Sequence, residues 1–343
     1  MKKLISVLFV IGALVTIFIS CGGKETKSGT AIHSDKLESV SVGDEKIYLK
    51  YKFSKGETFK YKLTTISSND EVIEADSTIK SKGNQTLVYI FDCEVLDVDE
   101  DNIAELTIKV SDIKFNADIN GEKVSYSSSA KISDEEKLKY MEYQTIYNTP
   151  YRARINQLGE VIEVSRIEKM VEKMNDLSQQ KQNLTTEQKL QYAKQLGETA
   201  IRPITQMLFR EMPKSNVGRD SSWNMQYPQQ LGTLRIDNTA KYTVLDFVKV
   251  GDNKAAKINA KLTAVVSGER KATENGVTYS FGEPKISGYG TIVFDYETGK
   301  LLKADTGTEM KMTMSMEGKD SMQKLIKTKR TTSSANKNIV ELL

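Results

Sequence analysis

Residues 98–110 read VDEDNIAELTIKV, and residues 250–262 read VGDNKAAKINAKL. The two segments align without a gap, and each continues from a polar turn into apolar residues at alternate positions. This alternation is typical of a β-strand with one buried face, and the polar turn before it indicates a hairpin. The same hairpin therefore occurs twice, which predicts that the chain contains two related β units in tandem.

Three further signals recur in the same order along the chain. Residues 56–59 correspond to 220–223, Asn120-Gly121 corresponds to Asn275-Gly276, and residues 158–161 correspond to 298–301. An Asn-Gly pair is the strongest short signal for a two-residue hairpin. We therefore expect a mainly β fold with two antiparallel β-sheet units in tandem, built as a curved sheet, a half-barrel or a sandwich.

The segment between the two units has a helical period instead. Ser165 with Glu168 and Thr185 with Gln188 have the spacing of capping boxes, and apolar residues follow each pair at helical intervals. A proline at position 203 predicts a kink or restart, and Pro213 predicts the end of the last helix. The sequence thus predicts a helical insert over residues 165–213, between an N-terminal β unit (47–164) and a C-terminal β unit (214–343).

The N-terminus resembles a bacterial lipoprotein signal. Lys2 and Lys3 precede an uncharged apolar run over residues 4–19, and Ser20 stands directly before Cys21. The resemblance implies that residues 1–20 are removed and that Cys21 is lipidated; the alternative is an uncleaved membrane anchor. The following residues are rich in Lys, Ser, Gly, Thr and Glu, so residues 21–46 are expected to form a flexible tether. Gly22 follows the cysteine where the sorting rule for such signals has aspartate for the inner membrane, so the outer membrane is the expected location.

Composition excludes several classes of function. The chain has 49 Lys and Arg against 46 Asp and Glu; residues 1–20 hold two of the lysines and no acid, so the expected mature chain has a net charge of +1. This balance argues against a nucleic-acid partner. His33, in the tether, is the only histidine, and Cys93 lacks a disulfide partner once Cys21 carries lipid. We therefore predict a non-catalytic protein without a cofactor.

An acidic turn partly matches the pattern of a metal site. Asp97, Asp99 and Asp101 have the spacing of a calcium loop. However, Asn102 occupies the place of the glycine that makes the sharp bend, and Ile108 that of the closing glutamate. The sequence favours a solvated hairpin turn here, and no metal site is predicted.

One candidate ligand site remains, a run of alternating methionines. Residues 310, 312, 314 and 316 place four thioethers on one strand face: Met310, Met312, Met314 and Met316. Methionine fills irregular core gaps, adapts to apolar ligands, and binds soft metals such as monovalent copper. Core filling explains the spacing most simply, an adaptable wall for an apolar ligand is the second reading, and a metal site is the weakest because no His or Cys lies nearby.

Three stretches resemble a family of uncharacterised bacterial envelope lipoproteins that share a domain of unknown function. They are residues 53–61 (FSKGETFKY), 154–162 (RINQLGEVI) and 212–223 (MPKSNVGRDSSW). The resemblance covers most of residues 48–316, and it implies no activity and no catalytic residues.

Two functions follow from these observations. The first is a lipid-anchored carrier or binding module for an apolar envelope molecule, with the methionine strand in its wall. The second is a structural or protein-interaction lipoprotein whose core is closed and holds no ligand.

Overall fold

The computed structural model describes residues 37–343 except 44, 179–181, 275 and 320–322. The predicted signal segment 1–20, Cys21 and residues 22–36 of the predicted tether lie outside the described residues. In the described part, fifteen strands form one antiparallel sheet that is not closed. The mainly β class is therefore confirmed. The strands are β1 (Glu38–Ser39), β2 (Thr58–Glu74), β3 (Thr78–Val98), β4 (Ala104–Ile119), β5 (Glu122–Ser127), β6 (Tyr151–Ile155), β7 (Val161–Ser165), β8 (Ser222–Leu231), β9 (Leu234–Val250), β10 (Asn253–Gly268), β11 (Lys271–Glu274), β12 (Val277–Phe281), β13 (Lys285–Asp295), β14 (Lys300–Lys319) and β15 (Leu325–Leu342).

The two halves of the sheet have the same strand order. The hydrogen-bonded order is β1-β9-β10-β13-β14-β15-β2-β3-β4-β6-β7, with β8 beside β9, β5 beside β4, and the β11–β12 hairpin beside β14. The series β8-β9-β10-β13-β14 thus repeats β2-β3-β4-β6-β7. The last strand, β15, lies between β14 and β2 and joins the two units edge to edge in one continuous sheet.

The repeat also holds in register. In the first half, residues 104, 106 and 108 of β4 pair with 155, 153 and 151 of β6. In the second half, residues 256, 258 and 260 of β10 pair with 294, 292 and 290 of β13. A bulge follows at the same place in both halves, between Arg154 and Ile155 and between Val293 and Phe294. The gapless alignment of 98–110 with 250–262 therefore matches residues that occupy the same positions in the two halves.

Helices occupy the chain between β5 and β6 and between β7 and β8. They are α1 (Asp134–Lys139), α2 (Met141–Ile146), α3 (Glu168–Leu177), α4 (Thr186–Leu196), a π-helical turn (Gly197–Ile201) and α5 (Arg202–Leu208). The predicted helical segment between the strand-rich halves is thus confirmed. No helix of the described chain combines the length and the hydropathy that a bilayer span requires.

The two predicted capping boxes of this segment have different outcomes. Thr185 caps α4 as predicted, since its hydroxyl accepts a hydrogen bond from the Gln188 backbone at 3.2 Å. The box at Ser165 is wrong, because Ser165 is the last residue of β7 and pairs with Arg152. Strand pairing therefore uses the residue that would have capped α3, and α3 begins after Ile167 without a side-chain cap.

The last helix ends earlier than predicted. It stops at Leu208, and Phe209 is extended at φ −120° and ψ 102°, four residues before Pro213. The backbone groups released by this early end find partners in the first β unit: the Met212 amide donates to the Leu158 carbonyl at 2.8 Å. Residues 209–212 consequently run into the protein interior, where Phe209 and Met212 are buried.

The core lies against one face of the sheet, here called the inner face, which carries Tyr61, Leu63 and Phe91. Direct cross-strand partners share a face and neighbours along a strand alternate, so the inner face can be followed from strand to strand by register. Ile108 of β4 and Tyr242 of β9 are far apart in the strand order but belong to one buried cluster with residues 209 and 212. The sheet therefore curves around that cluster, with the inner face as its concave side.

Candidate ligand-binding site

The four methionines of β14 lie on the inner face, beyond the edge of the core. Register places Ala304 beside Val340, Thr306 beside Asn338, and Met310 beside Ser334, all on one face. Ala304, Thr306 and Thr308 are buried, whereas residues 310, 312, 314 and 316 are each only partly buried. The methionine row, defined as these four residues, is therefore an inner-face surface that the core does not cover.

Aromatic and aliphatic side chains flank the methionine row on one side. Phe281 and Tyr279 of β12 pair with Met314 and Met316, and Ile286 of β13 pairs with Met310. Phe281 also reaches the β8–β9 turn, because a Cβ placed on Gly232 would lie 3.4 Å from its ring. The partly buried apolar surface thus extends from β14 across β12 and β13.

An ion pair borders the row on its other side. Arg330 of β15 pairs with Met314 in register, and its guanidinium contacts the carboxylate of Glu71 on β2. The Glu71 side chain is 16% exposed and that of Arg330 is 36% exposed. This inner-face arginine therefore has a carboxylate partner.

A second arginine reaches the inner face from the segment that follows α5. Arg210 is 8% exposed and donates one hydrogen bond from its guanidinium to the Thr306 hydroxyl at 3.0 Å. Its backbone amide donates to the Tyr51 hydroxyl at 2.8 Å, which fixes the segment against the core. Across the described residues, no Asp or Glu forms an ion pair with Arg210. Within the described part of the chain, the buried Arg210 Nε atom has no hydrogen-bond partner.

The wall formed by β8 and β9 faces the same interior. Trp223 stacks on Tyr242 with ring centroids 5.4 Å apart, and the hydroxyls of Tyr242 and Tyr227 lie 3.4 Å apart. Burial raises the pKa of Tyr227 well above its usual range, Tyr242 adds to this, and the charge of Arg210 opposes it. Arg210 therefore lies close enough to the β8–β9 wall for its charge to influence the pKa of Tyr227.

Two atoms of the β8–β9 wall are also buried without hydrogen-bond partners. They are the Trp223 Nε1 donor and the Asn238 Oδ1 acceptor, and both residues belong to the inner face by register. The Asn238 Nδ2 atom donates to the Tyr227 carbonyl at 3.2 Å, which sets the direction of its amide. Unsatisfied polar atoms are rare in protein interiors, and each requires an explanation. Arg210 Nε, Trp223 Nε1 and Asn238 Oδ1 thus have no hydrogen-bond partner among the described residues.

Two surface hollows lie mostly on the opposite face. One has a volume of about 760 Å³ and is lined by polar side chains such as Asn84, Asn116 and Lys337, which register places away from the methionine row. A smaller hollow of about 410 Å³ adjoins it and reaches Met310 and Ile286. Both hollows are open to solvent, and the residues that line them include no buried charge comparable to Arg210.

The sequence predicted part of this site. It placed the four methionines on one strand face, and the structure places them together on the inner face; Cys21 lies outside the described residues. It missed Arg210, Trp223, Tyr227 and Asn238. The one available signal was the charged pair Arg210-Glu211 inside the otherwise apolar end of the helical segment. In the described chain, no group of three His, Cys, Asp or Glu residues is placed to hold a metal.

The acidic turn considered for calcium is the β3–β4 hairpin. Asp99 accepts hydrogen bonds from the backbone amides of Asp101 and Ile103, at 3.1 and 2.9 Å. Asp97 pairs with Lys55, and Asp99 also pairs with Arg154. The carboxylates thus stabilise the turn and its neighbouring strands.

Comparisons with known proteins provide a family but no function. A model described as a family of unknown function (DUF6263) matches residues 101–301. No curated protein matches the chain. Among solved structures, lipovitellin is similar at 9% identity and a TM-score of 0.42, over 85% of this chain, which spans 25% of the lipovitellin chain. An outer membrane channel from Pseudomonas putida (9% identity, TM-score 0.18, 89% of this chain and 100% of that one) and OccK7 of Pseudomonas aeruginosa (8%, 0.23, 84% and 99%) also match. Similarity at this level carries no functional inference.

Proposed function

The chain belongs to the DUF6263 family of unknown function, and from this premise we propose that it is a non-catalytic, lipid-anchored binding protein of the bacterial envelope. Its ligand is an apolar envelope molecule that lies on the inner face of the sheet. The second candidate is a structural or protein-interaction lipoprotein without a ligand, and it requires a closed core around the methionine row.

The partial burial of the methionine row carries this proposal. A strand that used methionine only as core filler would bury those side chains, as β14 does with Ala304 and Thr306. Residues 310–316 instead leave four flexible, polarisable side chains partly exposed beside Phe281 and Ile286. Surfaces of this composition adapt to apolar ligands of varied shape.

The non-catalytic part of the proposal is supported by the chemistry of the described residues. Cys93 is 2% exposed, and burial raises the pKa of its thiol well above its usual range. A buried thiol of this kind is a poor nucleophile. The only histidine, His33, belongs to the predicted tether, outside the described residues.

The binding proposal is tested by substituting the methionine row. We expect the double variant Met312→Lys/Met314→Lys to bind oleyl alcohol at least about tenfold more weakly than the wild type, because two charged groups would face the apolar chain. The measurement is a titration of purified protein with a fluorescent oleyl alcohol analogue. Native mass spectrometry of wild-type protein purified gently from bacterial membranes should also show a copurifying lipid.

A matched control is Val265→Lys, which adds a lysine at a 67% exposed position on the outer face of β10. This variant should bind like the wild type. Wild-type protein that is recovered only in the ligand-free state and does not bind oleyl alcohol would favour the structural candidate instead.

The lipid anchor is tested at Cys21. We expect Cys21→Ser to lose acyl labelling and to move from the membrane fraction to the soluble fraction, because an N-terminal lipid holds such a protein by burying its methylenes. The matched control is Cys93→Ser, which removes the other cysteine and should leave labelling and membrane attachment unchanged. Membrane attachment of Cys21→Ser at the wild-type level would refute the anchor.

A further inference from the structure

Arg210 is a buried cation that the described protein leaves without a counter-ion. Its only side-chain partner there is the neutral hydroxyl of Thr306, and its Nε atom is buried without an acceptor. The neighbouring Glu211 does not pair with it; burial and the charge of Glu160 raise the pKa of Glu211. Removing a charge from water without a partner is unfavourable, so proteins rarely bury one unpaired unless it serves a function.

The position of Arg210 relates it to the methionine row. Thr306, which holds the guanidinium, is four residues before Met310 on the same face of the same strand. At about 3.4 Å per residue, Met310 lies about 14 Å along β14 from Thr306, and Met316 about 34 Å. The inner face therefore carries a cation at Thr306 and the methionine row farther along the same strand, with the buried Thr308 between them.

The β8–β9 wall adds a second donor near the same end. Trp223 pairs with Tyr242, and register carries that pair through residues 260 and 290 to Thr306, so Trp223 and Thr306 lie in one cross-strand row. The Trp223 Nε1 donor is buried, and no described residue accepts a hydrogen bond from it. Donors at two positions on the same face suit a ligand group with several acceptor oxygens, and the planar guanidinium binds such groups with two parallel hydrogen bonds.

We propose that Arg210, held by Thr306, is the head-group site for a single-chain amphiphile whose head is an oxyanion, a carboxylate or a phosphate, and whose chain lies along the methionine row. This inference rests on the proposed function and narrows its ligand class. The neutral Thr306 hydroxyl positions the guanidinium without neutralising it, so the charge remains available to the ligand.

Three probes with the same chain and different heads test the proposal: oleate, oleyl phosphate and oleyl alcohol. We expect the wild type to bind oleate or oleyl phosphate at least about tenfold more tightly than oleyl alcohol, since hydrogen bonds to a charged group contribute that much or more. The order of oleate and oleyl phosphate distinguishes a fatty acid from a phosphate-bearing lipid. Arg210→Met should bind all three probes with the wild-type affinity for oleyl alcohol.

Two further variants separate head-group recognition from a structural role. Arg210→Lys should keep part of the preference for the anionic probes, because lysine retains the charge but not the fork. Arg330→Met removes the inner-face arginine that is paired with Glu71, and it should keep the full preference. Circular dichroism and thermal melting of each variant establish that it is folded before its binding is compared.

The outcomes distinguish failure of the head-group site from failure of the proposed binding function. Equal wild-type binding of oleate, oleyl phosphate and oleyl alcohol would overturn the head-group site and leave the proposed function standing. A preference lost in Arg330→Met but kept in Arg210→Met would also overturn the assignment to Arg210. Failure of all three probes to bind the wild type would reject the proposed function and the head-group site together.

Discussion

Glu57→Gln is expected to lower the free energy of unfolding by roughly 3 kcal/mol, because it removes the carboxylate that neutralises a buried lysine. The side chain of Lys300 is 8% exposed, and its Nζ lies 2.9 Å from Glu57 Oε1. It also donates to the Lys52 carbonyl at 2.6 Å and lies 5.0 and 5.3 Å from the ring centres of Phe53 and Phe59. The glutamine keeps the size of the side chain but leaves the ammonium group without a counter-charge in that aromatic site.

The matched control for this prediction is Glu74→Gln at the tip of β2. Glu74 pairs with Lys329 at 3.1 Å, and the side chains are 51% and 54% exposed, so this pair is in contact with water. Exposed pairs contribute about 0 to 1 kcal/mol, and we expect the control to change stability by no more than that. Urea unfolding followed by circular dichroism measures both variants. Equal losses in the two would show that Lys300 does not depend on Glu57.

Gly299→Ala is expected to cost about 3 to 4 kcal/mol of folding free energy. Gly299 has φ +67° in the β13–β14 turn, where a side chain is strained by about 1 to 2 kcal/mol. A Cβ there would also overlap the Lys52 backbone nitrogen and lie 2.8 Å from the Lys50 carbonyl oxygen. Overpacking of this kind adds about 1 to 3 kcal/mol, and the neighbouring atoms are backbone, so they cannot rotate away.

The glycine of the β9–β10 turn separates strain from steric overlap. Gly251 has φ +59°, close to that of Gly299, but a Cβ placed on it would have nothing within 4 Å. Gly251→Ala should therefore cost only the strain, about 1 to 2 kcal/mol. The comparison uses the same urea unfolding assay. If both alanine variants lose the same stability, the close approach of residues 50–52 to the β13–β14 turn is not a constraint on the fold.

Lys300 and Gly299 both contact Lys52, in the segment that precedes β2. Residues 50–52 run between the turns that close the β6–β7 and β13–β14 hairpins: the Tyr51 amide donates to the Gln157 carbonyl, and the Lys52 amide donates to that of Gly299. Gly159 and Gly299 occupy equivalent places in the two halves, and a Cβ on either would meet this segment. The segment therefore stabilises both hairpins at once, which explains why small residues are needed at both turns.

Features that depend on neighbours along the chain could be predicted from the amino-acid residues alone. The alternation in residues 98–110 and 250–262, the Asn120-Gly121 turn and the cap at Thr185 each act within a few residues, so their hydrogen bonds and side-chain directions follow from local spacing. The same reason explains why the four methionines were correctly placed on one face of a strand.

Which distant groups come into contact depends on the packing of the folded chain. β15 pairs with β14, the preceding strand along the chain, but its other partner is β2 from the beginning of the first unit. Arg210 enters the interior because the chain leaves the helical conformation at Phe209, where backbone bonds to the Leu158 turn replace those of another helical turn. The contact between Glu57 and Lys300, which are 243 residues apart in the sequence, likewise depends on packing between distant segments. Local sequence periodicity carries no information about such contacts, so they could not be predicted from it.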